Sequence, residues 1–327
     1  MANSRKYFLT CDEHYIMPLS VMVYSLLKNS DPGVPAVVYI AHNQGFADSG
    51  CCEKLNEIVH RFPFAKAQYC NAEALLEKHR ALFETERNKW APIIWAGPLI
   101  TEVLPPDVRG NILYLDVDML VVRDPAPLFD IDLAGRGLVG AAVIEGERSR
   151  FKDMEALEWP ETAGHYYNNG TLLLDLDRYR EKNLSEKILQ WYSKYRDVSI
   201  RTDQDSQNAV FGADLTKIPV AWNFNDSLLY REFLRRPFAK TLRTHPRREV
   251  LEAIVNPGIV HYINRKPWCF SHRPTHELYH RHMKELGFYT PELGGTGFRQ
   301  KFQLFIYRRL HSAIRVWADL MLRRIRR

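Results

Sequence analysis

Asn111-Ile112-Leu113-Tyr114-Leu115-Asp116-Val117-Asp118-Met119-Leu120-Val121-Val122 is an apolar and aromatic run interrupted by two acids. Apart from the acids it reads as a strand buried on both faces of a mixed sheet, because such strands are nearly continuous in aliphatic residues. A bare carboxylate is rarely buried, since desolvating its charge costs roughly several kcal/mol or more. Asp116 and Asp118 therefore meet a cation, or stand where the strand leaves the sheet. Both can hold, as ligands of open α/β sheets bind outside the carboxyl ends of strands. Spacing does not decide between them. Asp130/Asp132, Asp175/Asp177 and Asp203/Asp205 repeat it, and Thr171-Leu172-Leu173-Leu174-Asp175 mimics the approach to the first pair.

Outward from this run, strand and helix patterns alternate. Tyr7-Phe8-Leu9-Thr10 reads as a strand, Cys11 to Tyr15 as a loop, and Leu19, Met22, Val23, Leu26 and Leu27 as one face of a helix. Val37 to Ala41 is a second buried-strand candidate. Residues 51–61 and 71–82 have helical patterns, and Pro105-Pro106 stop another helix. Gly140 to Ile144 and Gly170 to Leu174 read as strands, the latter followed by a helix from about Leu184 to Tyr195. This alternation predicts βαβ units in an α/β fold: a Rossmann-like, mostly parallel sheet flanked by helices. No G-x-G-x-x-G and no G-x-x-x-x-G-K-[ST] occurs, which argues against dinucleotide and P-loop cradles. A phosphate would have to be held by metal and side chains.

The chain has 327 residues, 46% hydrophobic and 26% charged, the composition of a folding globular protein of about two domains. Five cysteines without Cys-x-x-Cys spacing point to a reducing compartment. With no signal-type core and no apolar run near the ~18 residues of a membrane span, the expectation is a cytoplasmic protein. Charge is concentrated at one end: of the formal +6, residues 298–327 carry +8, from nine Arg/Lys and Asp319. Pro291-Glu292-Leu293-Gly294-Gly295-Thr296-Gly297 reads as a linker. Beyond it Phe298, Phe302, Phe305, Ile306, Leu310, Ala313, Ile314, Trp317, Met321 and Ile325 recur at three- and four-residue steps. The division expected is residues 1–290 as a catalytic domain and 291–327 as linker and basic amphipathic helix. Such a helix suits an anionic membrane surface, on the inner face of the membrane; a helix docked on the domain is the alternative. No nucleic-acid motif accompanies the charge.

Three polar clusters remain open in isolation. Tyr166-Tyr167-Asn168-Asn169-Gly170 is a turn or a strand opening with two amides. Thr202-Asp203-Gln204-Asp205 is a helix start or a ligand site. His261, after Gly258-Ile259-Val260 and before Lys266-Pro267-Trp268, is structural or a third metal ligand. His276-Glu277-Leu278-Tyr279-His280 matches the zinc-peptidase pattern H-E-x-x-H, although its polar flanks fit a solvated helix face.

Taken in order, these pieces resemble glycosyltransferase family 8, retaining metal-dependent sugar-nucleotide transferases with a GT-A fold, and among them the bacterial lipopolysaccharide galactosyl- and glucosyltransferases. The resemblance rests on Thr10 to Tyr15, Leu113 to Asp118 with Pro125, Leu128 and Phe129, Tyr167 to Leu173, Asp203-Gln204-Asp205, Trp222-Asn223-Phe224, and His261 to Trp268. It implies that Asp116, Asp118 and His261 ligate Mn²⁺ (or Mg²⁺), and that Thr10, Asp12, His14, Asp116, Val117, Asp118 and Lys266 bind a UDP-sugar. It also implies that Asn168, Asp203 and Gln204 surround the sugar, Asp203 and Gln204 being the catalytic pair, and that the acceptor is a glycan or lipid-linked glycan. Three positions depart from the family pattern. Gly97 stands where an Arg is usual, Asn264-Arg265 occupy a loop one residue shorter than usual, and Glu145 only loosely matches a sugar-contacting acid. A non-catalytic sugar-nucleotide or membrane-binding module is the further alternative.

Overall fold

β1 (Arg5–Cys11) and β2 (Ala36–His42) lie in parallel from Arg5 opposite Ala36 to Cys11 opposite His42, and every residue of β2 is buried. Such burial is what continuous Val, Tyr and Ile demand of a central strand. The computed structural model describes residues 4–84, 90–147, 164–225, 241–263, 266–269, 274–290, 293 and 298–325. Two compact units account for them: Met1–Ile16, Asp31–Val117 and Ala126–Ile218 in the first, and Met17–Ser30, Asp118–Pro125 and Pro219–Arg327 in the second.

The first unit holds a seven-stranded sheet in the order β3-β2-β1-β4-β7-β6-β8. Its other members are β3 (Ala65–Asn71), β4 (Asn111–Leu115), β6 (Gly140–Glu147), β7 (His165–Asp175) and β8 (Leu215–Lys217). β3 pairs in parallel with β2, β4 with β1 and β8 with β6, while β7 runs antiparallel to β4 and β6. This is the mixed, mostly parallel sheet with flanking helices that the alternation predicts. Its core gathers Phe8, Trp95, Ile112, Leu172, Tyr179 and Tyr192, with Trp95 stacked on Phe83 at 4.7 Å between ring centroids.

Two local readings differ. β3 has a sequence, Ala65-Lys66-Ala67-Gln68-Tyr69-Cys70-Asn71, poor in β-branched residues, and its largely half-exposed side chains mark an edge strand that the pattern does not reveal. The helix expected at 71–82 is two pieces, Glu73–Lys78 and Arg80–Phe83, because His79 leaves helical geometry at φ −114.

The opening run 111–122 is not one strand either. β4 stops at Leu115, Asp116 N–H donates to the Gly170 carbonyl at 2.9 Å, and β5 (Met119–Val121) belongs to a different sheet in the second unit. There β5 runs antiparallel to β10 (Ile259–His261), which pairs in parallel with β9 (Phe224–Asn225). The helix Ile16–Asn29 secures β5 by side chains: Val121 N–H donates to Ser25 Oγ at 3.0 Å, and Asn29 Nδ2 donates to the Val121 carbonyl at 3.2 Å. Val21, Leu120, Val260, Tyr262, Tyr279 and Met283 form the apolar cluster beneath.

The helix Phe298–Ile325 lies against Arg247–Val255, burying Ile314, Ala318 and Leu322. Arg315 donates to the Val255 carbonyl and Arg308 to Glu277, each at 2.7 Å. The boundary expected at 290 thus falls inside the second unit. Apart from Leu293, the linker 291–297 lies outside the described residues, as does Asn264-Arg265. Among the described residues no helix is long and apolar enough to cross a membrane.

β10 is held close by a glycine. Gly258 accepts from Val122 N–H at 2.8 Å and donates to the Ala221 carbonyl at 2.7 Å, and a Cβ there would lie 2.4 Å from the ring of buried Trp222. Gly258→Ala is expected to lower stability by about 1–3 kcal/mol, read by thermal denaturation; an unchanged melting temperature would show that Trp222 gives way freely.

Candidate active site

β10 ends on His261, which is buried, and the Tyr262 N–H continues the ladder by donating to the Asp118 carbonyl at 3.0 Å. Strand register therefore delivers His261 beside Asp118: Nε2 stands 3.1 Å from Asp118 Oδ1. Lys266 forms an ion pair with the other oxygen, Oδ2. Burial works against the charge of Asp118, but His261 and then Lys266 outweigh it and hold its carboxyl well below the usual range. On its far side His261 Nδ1 meets Asn223 Oδ1 at 2.8 Å, an arrangement in which Nδ1–H donates and Nε2 is left to bind a proton or a cation.

In the first unit, Asp116 accepts from the Tyr114 hydroxyl at 2.8 Å. Asp203 is raised to about 7 by burial first and the charge of Asp116 second. An acid raised by a neighbouring acid is relieved by a cation. Asp203 enters from the helix Thr202–Phe211, whose first residue, Thr202, is held at φ +36, a conformation costly for a β-branched residue. Asp205 secures that turn. Its Oδ2 accepts from Ser199 Oγ, Ile200 N and Arg201 N at 2.8–3.0 Å, and its Oδ1 accepts from the Tyr166 hydroxyl at 2.7 Å. The helix-start reading thus holds for Asp205 and in part for Asp203, which lies in the first turn and accepts from the Thr202 hydroxyl at 3.1 Å.

The amides are gathered by Glu145. Gln204 Nε2 and Asn168 Nδ2 donate to its Oε2 at 3.2 and 3.3 Å, while Gln204 Oε1 accepts from Asn169 N–H at 3.3 Å. Thr10 and Asp12 are buried at the carboxyl end of β1. Asp12 accepts from His14 N–H at 3.1 Å, its carboxyl raised by burial, and the His14 side chain is exposed. Val117 separates Asp116 from Asp118.

Asp116, Asp118 and His261 each offer one ligand atom, and these atoms lie within 4.8 Å of one another. Two hard carboxylates with an imidazole fit a divalent ion. The raised carboxyl of Asp203 beside Asp116 and the orientation of His261 by Asn223 fit it as well. Among the described residues no other group of this kind occurs.

The look-alikes have other employment. Asp175 caps the helix Leu176–Glu181, accepting from Asp177 and Arg178 N–H at 3.0 and 3.2 Å, and Asp177 pairs with Arg109. Asp132 accepts from Gly135 N–H at 2.7 Å. The zinc-peptidase reading of His276-Glu277-x-x-His280 is corrected on two counts. Glu277 is bound to Arg308, and His280 Nε2 faces the Pro267 carbonyl at 2.7 Å, so neither is presented to a metal.

Sequence reasoning gave no role to Asn223 or Tyr114. The signal for both is a polar tip at a strand end beside an acid or a His. Gly97 also gains a cause: a Cβ there would stand 3.0 Å from Tyr114 Cε2, so the ring that holds Asp116 fills the space.

An acid raised from the ordinary range to about 7 keeps its proton in the folded chain after the unfolded chain has lost it. Stability of the ion-free protein should therefore fall as pH rises from about 4 to 7 and level off above. Asp203→Asn is expected to flatten that slope in melting temperature against pH; an unaltered slope would remove Asp203 as its source.

The model of glycosyl transferase family 8 matches residues 6–271. General stress protein A of Bacillus subtilis is 25% identical over 260 residues, 79% of this chain and 85% of its own length. The lipopolysaccharide 1,2-glucosyltransferase of Escherichia coli is 31% identical over 113 residues, 35% of this chain and 33% of the enzyme, so the chain spans only about a third of that relative. Among solved structures, galactosyltransferase LgtC in complex with donor and acceptor sugar analogues superposes with a TM-score of 0.64 at 20% identity, covering 91% of this chain and 99% of LgtC.

Proposed function

We propose, because this chain belongs to glycosyl transferase family 8, that it moves a hexose, galactose or glucose, from a UDP-sugar to a glycan acceptor with retention of configuration. The observation that carries the reading is the Asp116, Asp118 and His261 group, its imidazole oriented by Asn223. Bound there, Mn²⁺ or Mg²⁺ would place positive charge where the departing diphosphate gains negative charge. Mn²⁺ is favoured by the imidazole.

The residues of the chain supply the rest. Lys266, already drawn to a carboxylate, offers its ammonium to the pyrophosphate. Thr10, Asp12 and His14 at the end of β1 take the uridine, where open sheets bind ligands. Asn168, Asp203 and Gln204 surround the sugar. The bond between the anomeric carbon and the phosphate oxygen breaks with its electron pair on that oxygen. The acceptor hydroxyl then bonds the same face of the carbon, and its proton leaves with the diphosphate. Gln204 is a poor nucleophile, and Glu145 and Asn169 tether both ends of its amide, which favours this front-face course over a covalent intermediate.

The acceptor in this reading is lipopolysaccharide or another lipid-linked glycan. The protein then works as a peripheral one on the inner face of the membrane, held to anionic lipid by the helix Phe298–Ile325.

Asp118→Ala should abolish Mn²⁺-dependent release of UDP from a UDP-hexose and remove the heat of Mn²⁺ binding in calorimetry; turnover equal to the parent's would dismiss the metal site. Asn223→Leu should weaken Mn²⁺ by about 10–100-fold although His261 itself is retained, because an unsupported imidazole rotates. In a thermal-shift series of UDP- and GDP-sugars, a UDP-hexose with Mn²⁺ should raise the melting temperature. No shift with any of them would count against a sugar-nucleotide enzyme.

A further inference from the structure

The helix Phe298–Ile325 carries two apolar stripes. Ile314, Ala318 and Leu322 recur at four-residue steps and are buried. At 3.6 residues per turn, Phe305, Val316 and Leu320 stand on the other side of the helix, and they are 51%, 60% and 52% exposed. Half of the exposed large hydrophobic side chains among the described residues lie on this one helix, which singles it out from ordinary surface scatter. A helix that only docks keeps its outer face polar. This one carries large apolar side chains on both.

Charge identifies what the outer stripe meets. Arg308 and Arg315 are spent inward, on Glu277 and the Val255 carbonyl. Arg309 lies over the Phe305 ring at 5.4 Å, and Arg323 takes up the acid of the helix, Asp319, at 2.8 Å. Arg324 is exposed beside them. Aliphatic and aromatic side chains interleaved with arginines match the boundary between anionic headgroups and acyl chains.

We propose that the face bearing Phe305, Val316 and Leu320 lies on an anionic lipid surface while Ile314, Ala318 and Leu322 stay docked on Arg247–Val255. This rests on the tail-to-membrane reading above and deepens it, because it names the face. The helix need not leave its own domain to bind lipid, and of the stripe read from the sequence Ile314 is docked while Phe305 faces outward.

The test is flotation of the full chain with phosphatidylcholine vesicles, with and without phosphatidylglycerol. The parent should float only with the anionic vesicles. Val316→Ser with Leu320→Ser should weaken binding at least about tenfold, and Arg309→Gln with Arg324→Gln by a similar factor. Both variants should keep the parent's melting temperature and its response to UDP-hexose with Mn²⁺, since these side chains are exposed. If the parent ignores anionic vesicles, the tail reading and the face fall together. Full binding by Val316→Ser with Leu320→Ser would overturn the face alone. Equal uptake by uncharged vesicles would overturn the charge argument. Self-association in sedimentation, lost in the same variant, would give the face to a second copy of the chain.

Discussion

The carboxylate of Asp118 is held charged against its burial by a partner on each of its oxygens. His261 meets one and Lys266 the other. An acid with two such partners is held firmly, and losing either weakens the compensation of its charge. The requirement reaches outward. Lys266 must follow β10 closely enough to return to Asp118, and His261 must end a strand registered against β5. Asn223 must stand near β9 to turn the ring. The three-stranded sheet of the second unit is in this sense a frame for one ion pair.

Much of the fold could be read in advance because burial on both faces leaves a strong mark. Val37 to Ala41 has no polar interruption, and Tyr7 to Thr10 has one only at its end. β3 left no such mark, since an edge strand needs little apolar surface. The break of the run 111–122 into β4 and β5 was foreshadowed by its two acids, but nothing local says that Met119 to Val121 join another sheet.

For the site, local pattern was least informative where it looked most persuasive. Leu172-Leu173-Leu174-Asp175 and Leu113-Tyr114-Leu115-Asp116 are near twins, yet Asp175 caps a helix while Asp116 lies within 4.8 Å of Asp118 and His261. The difference lies in the next residues: Asp175 is followed at once by helix formers, Asp116 by a second acid and another strand. Family resemblance separated the two; composition did not. Asn223 and Glu145 act through other side chains, so they leave no signature of their own, and only geometry shows Glu145 joining Asn168 to Gln204. The tail was legible only as far as its helix. Periodicity finds that a helix is amphipathic but not how many partners its apolar residues have.

Gly97 and Tyr114 form a matched pair. With 3.0 Å between a Cβ at 97 and the Tyr114 ring, any larger residue there presses on the phenol, which donates to Asp116. The two positions are therefore coupled: a side chain added at 97 is felt at Asp116 through the phenol, so substitutions at 97 and 114 should not add in their effects.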